Sequence, residues 1–120
     1  MKALEMGFFA IPVNDMNLGK KFYSSVMGWE FNERDAAFSY IMAGENMIGA
    51  LELSSENFKP SNSGPLMYFR AESMAKTLER VKQAEGRLIE KVAVDGGERG
   101  FTAKINDPFK NTIGFWAAED

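Results

Sequence analysis

The chain has 120 residues, 45% of them apolar, with 14 Lys and Arg against 17 Asp and Glu, a net charge of −3 and a pI near 5.1. That length suits one domain, and cations spread along the chain argue against a nucleic-acid groove or an anionic membrane surface, both of which need a basic patch. Cysteine and histidine are both missing, which excludes disulfides, thiolate chemistry, Ser-His and Cys-His dyads, and every metal site that uses thiolate or imidazole.

Met1 to Gly7 carries no signal-peptide cleavage pattern, and no stretch approaches the roughly 20 apolar residues that span a bilayer. The expected location is the cytoplasm. Phe8 to Val13 reads as a buried strand, bounded by Gly7 and Asn14-Asp15. Asp15 is suited to cap a helix whose face is Leu18, Phe22 and Val26, and Gly28 is suited to end it in a left-handed turn. Gly19 lowers the intrinsic stability of that helix. Trp29–Asn32, Phe38–Met42 and Met47–Leu53 follow as strands, joined by turn-forming stretches at 33–35 and 43–46.

The stretch after Ser54, rich in Ser, Asn and Pro, reads as a linker or as a loop over a site. The order then repeats. Leu66–Ala71 is a strand, Ser73 a cap, Met74, Leu78 and Val81 a helix face, and Gly86 the expected C-cap. Strands follow at Arg87–Val94, Phe101–Asn106 and Asn111–Ala117, with turns at 95–97 and 107–108. A shift of 58 residues superposes Phe8 on Leu66, Asp15 on Ser73 and Gly28 on Gly86. The repeat lies in structural signals rather than letters, and it predicts two βαβββ modules.

Side chains alternate across a strand. One parity (Phe9, Ile11, Val13; Leu51, Leu53; Met67, Phe69, Ala71; Ile113, Phe115, Ala117) is wholly apolar and expected to face the helices. The other holds Phe8, Ala10, Pro12, Ala50, Glu52, Leu66, Tyr68, Arg70, Gly114 and Trp116, a mixture of aromatic and polar groups of the kind that lines ligand pockets. Lys104 joins this face if its strand buries Phe101, Ala103 and Ile105.

Pro12-Val13-Asn14-Asp15, then Phe22-Tyr23, then Gly28-Trp29, resembles the opening of the vicinal oxygen chelate superfamily, the glyoxalase, bleomycin-resistance and dioxygenase proteins. Asp107-Pro108-Phe109-Lys110-Asn111, followed by Ile113-Gly114-Phe115-Trp116, is similar to its closing turn and last strand. Lys110 stands where that family usually has glycine, so a different backbone conformation is expected there. The resemblance implies an α+β fold in which two βαβββ modules make a curved, cup-like mixed sheet with helices on its outer face. Residues 1–120 would form one glyoxalase-like domain, with module 1 at about 6–54, a connecting loop at about 55–65 and module 2 at about 66–118.

It also implies sites inside the cup and, commonly, a homodimer. Metal-dependent members place His, Glu or Gln at four positions that correspond here to Phe8, Glu52, Leu66 and Gly114, of which only Glu52 is a donor. A lone carboxylate holds a divalent ion poorly. The chain is therefore expected to resemble a metal-ligand-poor glyoxalase-like subgroup with no cofactor. Its expected role is to bind a small, anionic or aromatic molecule at Phe8, Glu52, Leu66, Tyr68, Arg70 and Trp116. Two alternatives stay open: a metal-independent lyase, isomerase or transferase using Glu52 or Tyr68 as acid or base, and a non-catalytic interaction module. Glu52 reads more readily as a salt-bridge partner of Arg70 or a solvated carboxylate at the rim than as a general base, whereas Arg70 reads equally as a clamp for a ligand anion or as the partner of Glu52.

Overall fold

The computed structural model describes all residues, 1–120, and the chain divides into two compact units, Met1–Lys59 and Pro60–Asp120. In the first, strand β1 (Phe9–Val13) leads to helix α1 (Met16–Met27) and then to β2 (Glu30–Asp35), β3 (Phe38–Ala43) and β4 (Asn46–Leu53). In the second, β5 (Tyr68–Ala71) leads to α2 (Met74–Gln83), β6 (Arg87–Ala93), a 3-10 turn at Val94–Gly97, β7 (Phe101–Asn106) and β8 (Thr112–Ala117). The sheet orders are β1-β4-β3-β2 and β5-β8-β7-β6. The first-named pair of each sheet is parallel and the others antiparallel, so the fold is α+β with two βαβββ modules, each a mixed four-stranded sheet.

Both helices start where the caps predicted. Asp15 accepts the Leu18 N–H at 3.0 Å, and Ser73 Oγ accepts the Lys76 N–H at 3.2 Å. These bonds satisfy donors that a helix cannot pair internally. Gly28 ends α1 at φ +69°, as expected.

Gly86 does not play the matching part in α2. Glu85 takes the left-handed conformation at φ +68°, and Gly86 follows it, donating its N–H to the Val81 carbonyl while Glu85 donates to Lys82. This is the Schellman arrangement, in which the residue one step before Gly86 must turn left-handed.

The buried face of α1 also differs from expectation. Met16, Gly19, Phe22, Tyr23 and Val26 are buried, whereas Leu18 points to solvent. Gly19 is the reason. A Cβ there would lie 3.0 Å from Val13 Cγ1, so the missing side chain lets the helix backbone close onto β1. The helix-propensity cost of this glycine is offset by packing.

Phe22 and Tyr23 meet edge to face, and Tyr23 stacks on Trp29 with centroids 5.6 Å apart. In module 2 the buried stripe of α2 is Met74, Thr77 and Val81, packed with Ala103, Ile105, Ile113, Phe115 and Ala117 in the core. Apolar burial of this kind supplies most of a small module's stability. Leu53 departs from the apolar parity set, standing exposed at the end of β4. No helix is long and apolar enough to cross a membrane.

Candidate functional site

The open face of the module 2 sheet gathers three of the sequence-predicted residues. Tyr68 pairs in register with Gly114, and Arg70 with Trp116, across the parallel β5–β8 ladder. Registered neighbours share a face, so Tyr68, Arg70 and Trp116 project together. A Cβ on Gly114 would stand 2.6 Å from Tyr68 Cδ2 and 2.9 Å from its Cγ, so the Tyr68 ring occupies the space above that glycine.

Trp116 is fixed from behind. Its indole N–H donates to the Arg99 carbonyl at 3.0 Å, and Gly100 backs against it so closely that a Cβ there would meet the ring at 3.0 Å and the Ala117 carbonyl at 2.4 Å. Gly100 sits at φ +81°, which a residue with a side chain adopts only under strain. The 3-10 turn that delivers Arg99 carries Asp95 at φ +50° and Gly96 at φ +69°, with Asp95 and Arg99 in an ion pair of 2.8 Å.

The Arg70 guanidinium carbon lies 5.6 Å from the Trp116 ring centroid, within cation–π range. Arg70 and Tyr68 are both exposed, and Arg70 has no carboxylate partner within its module. A guanidinium held against an aromatic wall, with its N–H fork open to solvent, can accept a planar anion. Lys104 joins this face as expected, because Ala103 and Ile105 are buried on the other; its ammonium lies 3.8 Å from Glu90. Leu66, half-buried, precedes β5.

Phe8 and Glu52 belong to module 1. Phe8 is exposed and just precedes β1; Glu52 is half-buried on β4, registered between Pro12 and Phe38. Glu52 makes no ion pair within its module. Two neighbours on its face went unrecognised in the sequence: Phe38, and Tyr40 beside it at 5.0 Å in edge-to-face contact. The Arg34 guanidinium lies 4.0 Å from the Phe38 ring centroid. The alternating parity of β3 carries that signal, since Phe38, Tyr40 and Met42 share the parity that registers with Glu52, Ala50 and Met47.

Arg34 and Asp35 are the groups with shifted ionisation. The Ala37 N–H and the Arg34 guanidinium beside it hold the Asp35 carboxyl below its ordinary range. The Asp35 carboxylate in turn raises Arg34.

The residues at the four family metal positions do not fit a divalent ion. Phe8, Leu66 and Gly114 offer no donor, the Tyr68 ring fills the space above Gly114, and nowhere do three Asp or Glu side chains gather to hold a metal.

The closing turn is built as the resemblance implies. Asp107 Oδ1 accepts the N–H groups of Phe109 and Asn111, both at 2.9 Å, and Asn111 Nδ2 donates to Asp107 Oδ2 at 2.8 Å. Asn111 Oδ1 accepts the Ser61 N–H at 3.1 Å, tying the connecting stretch to β8. Lys110 sits at φ +73°. The expected change of backbone conformation does not occur: lysine adopts the left-handed geometry that favours glycine.

A sequence search of curated proteins finds no match. Among solved structures, a possible glyoxalase from Bacillus cereus shares 18% identity at a TM-score of 0.73, the alignment covering 96% of this chain and all (100%) of that one. The fosfomycin resistance protein FosX from Mesorhizobium loti is 11% identical at a TM-score of 0.72, over 98% of this chain and 92% of its own. A lactoylglutathione lyase from Agrobacterium tumefaciens is 17% identical at 0.69, over 98% and 96%. At such identities the likeness is one of fold. Family membership rests on the sequence itself: residues 5–115 match the model of the Glyoxalase/Bleomycin resistance protein/Dioxygenase superfamily, and the chain belongs to it.

Proposed function

We propose that this superfamily member binds a small anionic, partly aromatic molecule without a bound metal, as a metal-poor glyoxalase-like protein. The observation that carries the reading is the exposed Arg70 guanidinium against Trp116, a ring whose polar N–H is already spent on Arg99. A tryptophan so anchored offers only its face to a ligand, and stacking on it contributes on the order of 0.5–1.5 kcal/mol beyond area burial. Arg70 supplies orientation and charge. Tyr68 completes the wall. Phe8, Glu52 and Leu66 are assigned to the ligand by strand parity and by the resemblance, within residues 1–120 taken as one domain.

The proposal extends to a cytoplasmic homodimer. Edge strands with unpaired backbone groups support self-association, since such edges are normally covered or blunted.

The test is a thermal-shift and calorimetric screen of benzoate, phenyl phosphate and benzyl alcohol, beside nickel, zinc and manganese ions. The anions are expected to stabilise the protein, the alcohol less, and the metals not at all. Arg70→Ala should weaken anion binding by about tenfold, the equivalent of one charge-assisted contact. Stoichiometric metal stabilisation, or an Arg70→Ala protein that unfolds with no change in ligand affinity, would overturn the reading.

A further inference from the structure

The helix side of module 2 carries an opening that the site above does not use. β6 is the outermost strand of its sheet and is exposed at every position. Its Leu88 registers with Ile105 and its Lys91 with Ala103, both buried under α2, so Leu88 and Lys91 project on the helix side. Yet α2 does not reach over them, and a groove of about 490 Å3 is left between helix and strand. That volume lies within the range of small-molecule sites.

The floor of the groove is apolar, formed by Leu78 and Val81 of α2 and Leu88 of β6. Its rim holds Lys82, Arg87 and Lys91, and the carboxylates near them are those of Glu79 and Asp120. Lys91 is paired with Asp120, and Glu79 accepts from Gln83. Lys82 and Arg87 are exposed and in no ion pair. A half-exposed leucine on each wall and two uncommitted cations at one end match an amphiphile with one anionic head.

We propose that the α2–β6 groove binds a free single-chain anionic amphiphile, with its apolar body on Leu78, Val81 and Leu88 and its carboxylate at Lys82 and Arg87. Every group invoked belongs to module 2, and the inference is independent of the ligand proposed at Arg70.

The test is a titration of the isotope-labelled full chain with octanoate and, in parallel, octan-1-ol, followed by amide chemical shifts. Octanoate is expected to give saturable shifts confined to α2 and β6 and to bind about tenfold tighter than the alcohol, the equivalent of one charge-assisted contact. Lys82→Glu combined with Arg87→Glu should remove that advantage and leave the alcohol unchanged; both side chains are exposed, so the fold survives. Leu78→Asp should weaken both probes. Equal affinities, shifts centred on Tyr68 and Trp116, or no saturable shift would overturn the proposal. So would binding to phosphatidylglycerol vesicles without binding octanoate, which marks a membrane surface. Self-association abolished by Leu88→Glu would also overturn it, because a second copy would then be the occupant.

Discussion

Tyr68 lies over Gly114, its ring so close to the β8 backbone that a single added methyl group would stand 2.6 Å from Cδ2. Gly114 is not among the positive-φ residues, so the backbone itself would accept alanine. The three nearest atoms that the methyl group would meet all belong to that ring. Gly114→Ala should therefore destabilise the chain by about 1–3 kcal/mol, the usual cost of overpacking. In a Tyr68→Ala background the same change should cost much less. A double-mutant cycle by urea unfolding measures the coupling, and additive effects would mean that the ring moves aside freely.

Lys110 gives a prediction of opposite sign. It is exposed, at φ +73°, inside a turn whose other atoms are held by Asp107 and Asn111. A left-handed non-glycine residue costs roughly 1–2 kcal/mol, part of which glycine returns as unfolded-state entropy. Lys110→Gly should raise stability by about 0.5–1 kcal/mol. Asp107→Ala should cost about 2–4 kcal/mol, because it strands two buried N–H groups and the Asn111 amide. Denaturant midpoints at unchanged slope separate these effects from changes in compactness.

Most of the fold was legible because its signals are local. Asp15 and Ser73 cap helices by bonding the residue three positions on, and that spacing is written in the chain. Strand parity likewise placed Tyr68, Arg70 and Trp116 on one face. What escaped depends on backbone approach. Gly19 reads as a helix defect until Val13 is seen against it, and Glu85 turns left-handed because the last carbonyls of α2 dictate which residue must. The hold of Arg99 on Trp116 spans 17 residues through a turn with three consecutive positive-φ residues, Asp95, Gly96 and Gly97, and no sequence period marks it.

Asp35 sets a pH dependence. Its carboxyl is held below the ordinary value by the Ala37 N–H first and by Arg34 next. A depressed native pKa contributes stability that is present above the unfolded value, near 3.9, and lost as pH falls through the native one. The stability gap between the native chain and Asp35→Ala should thus be constant from neutral pH down to about 4 and close below it. Arg34→Ala should narrow the gap only in part, since the Ala37 bond at 2.9 Å remains. Unfolding curves across that acid range decide it; a gap that persists at the acid end would show that the carboxylate charge is irrelevant.

Ser39 carries the last prediction. It is fully buried on β3, and its hydroxyl oxygen has no hydrogen-bond partner. Its register neighbour is Leu51, which lies under Gly19 of α1, so the hydroxyl faces the apolar helix side of the sheet. A buried hydroxyl without a partner costs about 1–3 kcal/mol relative to its hydrated state. Alanine removes the oxygen and leaves a gap smaller than a water molecule, so little packing is lost. Ser39→Ala should raise stability by about 1 kcal/mol, against the usual direction for a core substitution. Ser39→Val should do the reverse, because two methyl groups must then fit beneath a helix already in contact with Val13 and Leu51. Urea midpoints for the three proteins give the order Ala above Ser above Val. A lower midpoint for alanine than for serine would mean that the hydroxyl is bonded in solution, and the account of this buried face would fail.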